Sequence, residues 1–503
     1  MRRSIDSEFL TLPLQQLADA ALDRARALGV EHADVRVERI RTAGLRLHDA
    51  RLETSYDEDQ RGLCVRVVHD GTWGFAGGAV LTADAAAQLA DEAVAIAKAS
   101  KPVNTERVEL APEPSYASGT WVSSYDVDPF DVAETDRIAL LSDWSRRLLG
   151  HDAVHHADAT LRQVKEQKFY ADIAGTVTTQ QRVRVQCELT AAWVDEQSGR
   201  FESMRSLAPP VGRGGEFLTD RSLYDWDGEI AEMPSLLAEK AAAPSVQAGS
   251  YDLVIDPSNL FLTIHESIGH ATELDRALGY EANYAGTSFA TPDQLGSLVY
   301  GSPVMHVTGD REAEHGLATV GWDDEGVAAQ TWDIVKDGML VGYQLDRRIA
   351  SKTGQSRSNG CAFADSPLHV PIQRMANVSL QPAVGGPSTA ELISGVDDGI
   401  YIVGDKSWSI DMQRYNFQFT GQRFYRIRGG KLDGMLRDVA YQATTTDFWR
   451  SMEAVGGPQT YVLGGAFNCG KGQPGQTAPV SHGCPTALFR GVRILNTVAE
   501  AGS

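Results

Sequence analysis

The sequence predicts an α+β protein, with helices and mixed or antiparallel sheets in its N-terminal region and a β-rich C-terminal domain. Apolar residues recur at helical spacing in 13–28, and 83–99 is rich in alanine, a strong helix former. Alternation of apolar and polar residues between 168 and 189 indicates antiparallel strands with one solvated face. In the second half, Asp337-Gly338 and Gly429-Gly430 separate strand-like segments, as hairpin turns do.

The elements predicted in the N-terminal region alternate between helices and short strands. Gly29 ends the first helix, Thr82 caps the second, and Asp70-Gly71 forms a turn between strands. In chain order we predict a helix at 13–28, strands at 33–38, 44–47 and 62–68, helices at 83–99 and 132–149, strands at 168–173, 175–179 and 182–189, and a helix at 236–243.

A length of 503 residues indicates two to four domains. Prolines at 102, 112 and 114 mark a linker, and the Pro-Ser-Val-Gln-Ala-Gly segment at 244–249 marks a stronger break. We therefore predict an N-terminal α+β domain at 1–248, with sub-modules at about 1–100 and 120–245, and a C-terminal domain at 249–503.

Charge and cysteine content exclude several classes of protein. A formal net charge of −21 argues against a nucleic-acid surface, which needs concentrated basic residues. Five cysteines in 503 residues do not form a disulfide framework, and an odd, sparse count fits a reducing compartment. The sequence contains no run of eighteen apolar residues, so it predicts no membrane span. We expect a cytoplasmic protein that binds neither nucleic acid nor membrane.

The most informative segment is His265-Glu266-Ser-Ile-Gly-His270. Two imidazoles and a carboxylate are the side chains of a metal site that has a general base. Zinc proteases of the common type, however, carry H-E-x-x-H, with the histidines four residues apart. At about 100° per residue, five residues place the second histidine about 140° around the helix axis from the first, after one full turn. A π-bulge would restore the common face, so we predict a helix interrupted near 267–269, with Gly269 allowing the distorted turn.

This segment is predicted to be helical because it follows a strand and a helix start. Residues 251–255 have the composition of a strand, Asp256 can cap a helix and Pro257 suits the first turn. Phe261, Ile264 and Ile268 then recur at helical spacing. The C-terminal domain is therefore expected to carry a metal-binding helix.

A catalytic zinc site needs a third protein ligand. Glu273 is three residues beyond His270 and could orient a ligand or lie on the surface. Cys469 and Cys484 are the distant candidates. A second histidine cluster, His151, His155 and His156 with Asp158, has no carboxylate placed as Glu266 is, and we interpret it as solvated surface.

The chain resembles the TldD/PmbA family of metalloproteases over nearly its whole length. The resemblance rests on His265-Glu266-x-x-x-His270, on Asn468-Cys469-Gly470-Lys471 with the Gly-Gln-Pro-Gly-Gln that follows, and on the intervening Pro371-Ile-Gln-Arg374-Met375-Ala-Asn377 and Asp337-Gly338. The split histidine motif is typical of the catalytic subunit type. The resemblance implies that His265, His270 and Cys469 bind zinc and that Glu266 is the general base.

The resemblance also implies a substrate and a partner. The substrate would be a short or unfolded peptide in extended form, including leader peptides. The partner would be a homologous TldE/PmbA-type subunit without the metal motif, or a second copy of this chain. Two alternatives remain open: a cysteine hydrolase that uses Cys469 or Cys484 with His482, and a non-enzymatic regulator, because an older label of the family concerns modulation of DNA gyrase.

Overall fold

One large sheet organises the N-terminal half of the chain. In the computed structural model, which describes residues 4–501, this sheet has the order β3-β2-β1-β5-β6-β4, with β7 paired to β6. Its strands are β1 (His32–His48), β2 (Arg51–His69), β3 (Thr72–Gly78), β4 (Gly119–Val122), β5 (His156–Asp172), β6 (Val177–Val194) and β7 (Phe201–Arg205). The helices of this half are α1 (Ser7–Leu10), α2 (Leu14–Ala27), α3 (Ala83–Ser100), α4 (Glu134–Leu149) and α5 (Trp226–Ala242).

The strands of this sheet are longer than the sequence pattern predicts. The predicted strands 33–38 and 44–47 are both parts of β1, so the prediction of two strands is wrong. Arg39 and Arg41, which interrupt the apolar alternation, form ion pairs with Asp59 and Asp57 on β2. Cross-strand ion pairs thus continue the strand where apolar packing does not. Likewise 175–179 and 182–189 belong largely to one strand, β6.

Strands from both predicted sub-modules share this sheet, because β1 pairs antiparallel with β5 along their length. The predicted helices at 13–28, 83–99 and 132–149 correspond to α2, α3 and α4, whereas α5 begins well before residue 236. The predicted turn at Asp70-Gly71 joins β2 to β3, and both residues have positive φ. The division of the chain near residue 248 stays a prediction.

The C-terminal half is β-rich, which confirms the predicted fold class. Five of its strands close a ring in the described chain, because β15 pairs with β8, β8 with β22, β22 with β18, β18 with β16, and β16 again with β15. The strands involved are β8 (Gly249–Ile255), β15 (Asp398–Ile410), β16 (Asn416–Arg428), β18 (Val439–Thr444) and β22 (Ala487–Asn496). β17 (Lys431–Leu436) and β19 (Met452–Val455) extend this sheet.

The remaining strands lie in smaller sheets around this ring. One has the order β11-β10-β9-β14, and the pairs β12-β13 and β20-β21 are separate ribbons. Their bounds are β9 (Val307–Asp310), β10 (Thr331–Lys336), β11 (Met339–Leu340), β12 (Ala362–Phe363), β13 (Ile372–Gln373), β14 (Asn377–Leu380), β20 (Val462–Lys471) and β21 (Gln476–Cys484). The predicted hairpin turns Asp337-Gly338 and Gly429-Gly430 join β10 to β11 and β16 to β17.

Helices are short in this half. They are α6 (Pro257–Ile264), α7 (Leu274–Ala277), α8 (Arg347–Lys352), α9 (Thr389–Ser394), α10 (Thr445–Arg450) and α11 (Thr497–Ala501). No helix within residues 4–501 is long and apolar enough to cross a bilayer. The large core of this half contains a group of packed aromatic rings, which are Phe417, Phe419, Tyr441, Phe448 and Phe489.

Buried charges join the two halves. Arg36 and Lys168 of the N-terminal sheet both contact Asp324, and Arg66 contacts Glu325 at 2.8 Å. Each of these side chains is almost fully buried, so each charge depends on its partner across the contact. These contacts thereby fix the N-terminal sheet against the C-terminal half.

Candidate metal centre

Helix α6 and the turn after it carry the two histidines of the motif. Asp256 caps the helix by accepting from the Ser258 amide, and Pro257 occupies its first position. The helix then widens into a π-helical turn, His265–Gly269, in which the amide of His270 donates to the carbonyl of His265. The π-bulge predicted from the five-residue spacing is therefore confirmed.

Side chains donate hydrogen bonds to the backbone carbonyls of this widened turn. Tyr300 donates its hydroxyl to the carbonyl of Ser267. Thr272 donates to the carbonyl of Ile268 at 2.8 Å, and Gln344 donates to that of Gly269 at 2.7 Å. Because a buried carbonyl without a donor is costly, these contacts stabilise the π-turn.

Gly269 has a different role from the one predicted. Its φ of −53° and ψ of −60° are helical, so the turn needs no glycine for backbone freedom. A Cβ atom here would lie 2.5 Å from the sulfur of Met375, which is fully buried. Glycine at this position therefore leaves room for the close approach of Met375.

The predicted ligands come together in one buried cluster. Donor atoms of His265, His270 and Cys469 all lie within 4.8 Å of one another. The sulfur of Cys469 is 3.5 Å from Nε2 of His270, although the two residues are 199 positions apart in the chain. Cys469 lies on β20, directly after an irregularity in its pairing with β21.

Neighbouring residues orient each ligand. Nδ1 of His270 is 2.8 Å from Oε2 of Glu273, and Nδ1 of His265 is 2.7 Å from Nε2 of His482. In both histidines this leaves Nε2 as the ligand nitrogen. Arg374 belongs to the segment at 371–377, which carries part of the resemblance to the family. It donates to the carbonyl of Cys469 at 2.6 Å and so anchors the strand that carries the thiol.

Charge around the cluster favours a thiolate at Cys469. Burial would raise the pKa of this thiol, but His270 and Arg374 outweigh burial and lower it. Burial raises the pKa of Cys484 well above its usual range. Burial likewise opposes ionisation of Glu273, yet Lys471 and His270 hold its pKa well below the usual value.

Glu266 lies beside the ligands at the edge of a cavity. Burial would raise its pKa, but His270, His265 and Arg414 lower it, so the carboxylate is charged at neutral pH. Nη1 of Arg414 is 3.4 Å from Oε2 of Glu266. The cavity has a volume of about 240 Å³ and lies between β6 and β7 of the N-terminal sheet and β15 and β20 of the C-terminal half.

The donor set fits zinc. Two imidazoles and one thiol with a lowered pKa are borderline-soft ligands of the kind that zinc prefers. Three protein ligands leave a fourth position for a reacting group, as in catalytic rather than structural zinc sites. Each imidazole also has a partner on its other nitrogen, which is usual for histidines that bind metals.

The other predicted candidates do not form a second catalytic pair. Cys484 is fully buried and contacts the carbonyl of Pro257, while His482 faces His265 rather than a cysteine. This geometry does not form the nucleophile and base pair of a cysteine hydrolase. In the histidine cluster near residue 151, His155 accepts from the Val194 amide and His156 contacts Asp49.

Some residues of the centre were not identified from the sequence. No sequence motif identifies Arg414, because it lies in the turn between β15 and β16 and contacts Glu266, which is 148 residues away in the chain. The sequence allows Glu273 either to orient a ligand or to lie on the surface. In the structure Glu273 is fully buried against His270. Sequence reasoning also missed His48 and Asp49, which form a half-exposed group with His156 whose donor atoms could hold a metal ion.

Comparisons with known proteins match two regions of the chain to metallopeptidase domains. Residues 248–496 match the PmbA/TldA metallopeptidase C-terminal domain, and residues 33–97 match the PmbA/TldA metallopeptidase domain 1. A metalloprotease of Methanothermobacter thermautotrophicus is 26% identical over 98% of this chain and 100% of its own length. A zinc metalloprotease TldD homolog of Saccharolobus solfataricus is 22% identical over 94% of this chain and 98% of its own.

A solved structure supports the fold. TldE from Thermococcus kodakarensis superimposes with a TM-score of 0.71 at 13% identity, covering 94% of this chain and 98% of its own. The two matched domains, with which the full-length relatives agree, show that the chain belongs to the TldD/PmbA family of metallopeptidases.

Proposed function

We propose that this chain is a zinc-dependent protease that cleaves short or unfolded peptides, including leader peptides, and that binds them in extended form. The observation that carries the proposal is the convergence of His265, His270 and Cys469 within 4.8 Å, with Glu266 beside them at the cavity. The name of the Saccharolobus relative supports zinc as the metal. When bound there, zinc supplies Lewis-acid chemistry, polarising a carbonyl and easing the ionisation of water.

Glu266 is the general base in this proposal. Its carboxylate is charged, nearly buried and next to both histidines, so it can accept a proton from the attacking water. The same group can then donate that proton to the amine that leaves. Arg414 positions the carboxylate through its contact with Oε2.

The proposed peptide path follows β20. This strand pairs with β21 along one edge, and no other strand of the described residues pairs with it. Gly464, Gly465 and Ala466 of β20 line the cavity. An unpaired strand edge can hydrogen-bond an extended peptide whatever its sequence. Folded proteins do not offer such a strand, and we expect them to resist cleavage.

We also propose that the chain acts as a dimer, with a homologous subunit lacking the histidine motif or with a second copy. Trp408 and Val462 at the cavity are substantially exposed, as are Tyr284 and Met412. Such exposed apolar side chains are common where a partner binds. Light scattering of the purified chain, alone and with a TldE-type subunit, tests this; a single-chain mass in both samples would contradict it.

The test of the proposed activity compares the wild type with Glu266→Gln. Zinc content is measured by elemental analysis, and cleavage is measured on an unstructured peptide and on a stably folded protein. We expect about one zinc per chain in both, peptide cleavage by the wild type alone, and a loss of about 10²–10⁴-fold in the variant, because an amide cannot accept the proton. Undiminished cleavage by Glu266→Gln would refute the role of Glu266.

Removal of a ligand gives the complementary result. Cys469→Ala is expected to lose both zinc and cleavage, whereas Cys484→Ala, at an equally buried thiol outside the cluster, keeps both. If zinc is bound but neither the chain alone nor its mixture with a TldE-type subunit cleaves peptides, the proposed function is wrong.

A further inference from the structure

His482 links a metal ligand to the backbone. It lies on β21 and is fully buried. Its Nε2 is 2.7 Å from Nδ1 of His265, and its Nδ1 is 2.8 Å from the carbonyl oxygen of Val378 on β14. Both polar atoms of the ring are therefore engaged, one with the ligand and one with a fixed peptide group.

The carbonyl of Val378 fixes the direction of this chain of hydrogen bonds. A carbonyl oxygen can only accept, so Nδ1 of His482 carries a hydrogen and donates it. The two contacts of His482 are with a carbonyl and an imidazole, so a positive charge on this buried ring would have no counterion. The ring is therefore neutral and has one N–H. Nε2 of His482 must then accept, and Nδ1 of His265 must donate.

The consequence falls on the far side of the His265 ring. With its hydrogen on Nδ1, His265 has a lone pair on Nε2, which is the form that a metal requires. The rings of His265 and His482 meet edge to face, with centroids 4.9 Å apart and planes at 76°. This contact fixes the orientation of the His265 ring as well as its tautomer.

We propose that His482 is a positioning residue of the metal site, which selects the Nδ1–H tautomer of His265 and aims its Nε2 at the metal. The inference rests on the proposed metal site but not on peptide cleavage. The two histidine ligands then differ in support, because His270 is held by the carboxylate of Glu273 and His265 by a neutral imidazole. The β20–β21 ribbon supplies both Cys469 and His482, so it contributes a ligand and the support of another ligand.

Three substitutions of His482 separate positioning from packing. Glutamine places its side-chain oxygen near the position of Nε2 and can still accept from His265. Asparagine reaches only the position of Nδ1, so it can keep the contact with Val378 but not the one with His265. Leucine fills the space without either contact. Cys484→Ala is the control, since Cys484 is also fully buried on β21 but does not contact His265.

The measured quantity is the zinc dissociation constant, obtained by competition with a chromogenic chelator. We expect His482→Leu and His482→Asn to bind zinc about 10–100-fold more weakly than the wild type, as for other partners of metal-bound histidines. His482→Gln should stay within a few-fold of the wild type, and Cys484→Ala should be unchanged. Equal zinc affinity in all variants, or a glutamine variant as weak as leucine, would overturn the proposal.

A measurement on the wild type decides the matter even if these variants do not fold. The chain has twelve histidines, so selective ¹⁵N labelling gives a small set of imidazole signals. In metal-free protein His265 should show hydrogen on Nδ1, and its signals are assigned by their loss in His265→Gln. Hydrogen on Nε2 of His265 would refute the inference. Because this readout needs neither zinc nor peptide, it is independent of the proposed protease activity.

Discussion

Cys469 differs from the other buried thiols of the described chain. Its pKa is lowered below the usual value, whereas burial raises the pKa of Cys64 to about 11 and that of Cys361 to about 12. The thiolate is both the metal ligand and the reactive form of cysteine. The same electrostatics that prepare this residue for zinc therefore make it the most reactive thiol once the metal is removed.

This difference predicts selective alkylation. In metal-free protein at neutral pH, iodoacetamide should modify Cys469 first, and added zinc should slow that reaction on the order of tenfold or more, because the bound sulfur is no longer free to attack. Peptide mapping by mass spectrometry measures each cysteine separately, with Cys484 as the internal control. Modification of Cys484 before Cys469 would contradict the assignment of the charges.

At single residues, the sequence predicts what lies close along the chain. His265, Glu266 and His270 are adjacent in a motif whose chemistry is local. Arg414 and His482 act on them from 148 and 217 positions away. No periodicity connects such distant positions, because their contact depends on how β16 and β21 are placed by the whole domain. The resemblance to a known family supplied Cys469, which residue types alone left beside Cys484.

At the level of elements, the π-turn follows from spacing, but its stability does not. A one-residue excess between the histidines implies a wider turn whatever surrounds it. Two of the side chains that donate to the carbonyls of this buried turn, Tyr300 and Gln344, come from separate segments, and only Thr272 is local. The strands show the same limit. Their turns were predictable from Asp-Gly and Gly-Gly pairs, while the continuation of β1 through Arg39 depended on partners in β2.

Gln344 provides a test of how the π-turn is held. It donates to the carbonyl of Gly269 and accepts from the amide of Ala376, and it is fully buried. Gln344→Leu leaves the amide of Ala376 without its partner and the carbonyl of Gly269 with only the 3.4 Å contact of Thr272, so we expect the free energy of unfolding to fall by about 1–3 kcal/mol and zinc binding to weaken. Chemical denaturation of the metal-free protein and chelator competition measure the two effects.

Gln373 is the matched control for this substitution. It is equally buried, but neither polar atom of its side chain has a hydrogen-bond partner among the described residues. Gln373→Leu should therefore be neutral or stabilising. If both variants lose the same stability, the loss reflects a change of shape in the core and the contacts of Gln344 do not hold the turn.

For the whole molecule, the metal site joins distant parts of the C-terminal half. α6 follows the first strand of that half, and β20 lies near its end. A ligand that binds the folded but not the unfolded chain stabilises it by about 2.7 kcal/mol at a hundredfold excess over its dissociation constant. Zinc should therefore contribute to folding as well as to chemistry.

Chelation should accordingly lower the melting temperature. We expect a chelator to reduce the Tm of the wild type and of Glu266→Gln, which keeps all three ligands, and zinc to restore it. Cys469→Ala should melt at one temperature with or without chelator. Differential scanning calorimetry makes the comparison, and an unchanged Tm of the wild type after verified removal of zinc would contradict a structural contribution of the metal.

The distance between the ligands along the chain has a consequence for biosynthesis. His270 leaves the ribosome 199 residues before Cys469. At about 5–20 residues per second, the histidines wait roughly 10–40 s for the thiol that completes the site. During that interval the nascent chain has the two proposed histidine ligands and Glu266 but not the proposed third ligand. The order of translation thus delays metal loading, and with it the proposed hydrolytic capacity, until β20 has been made.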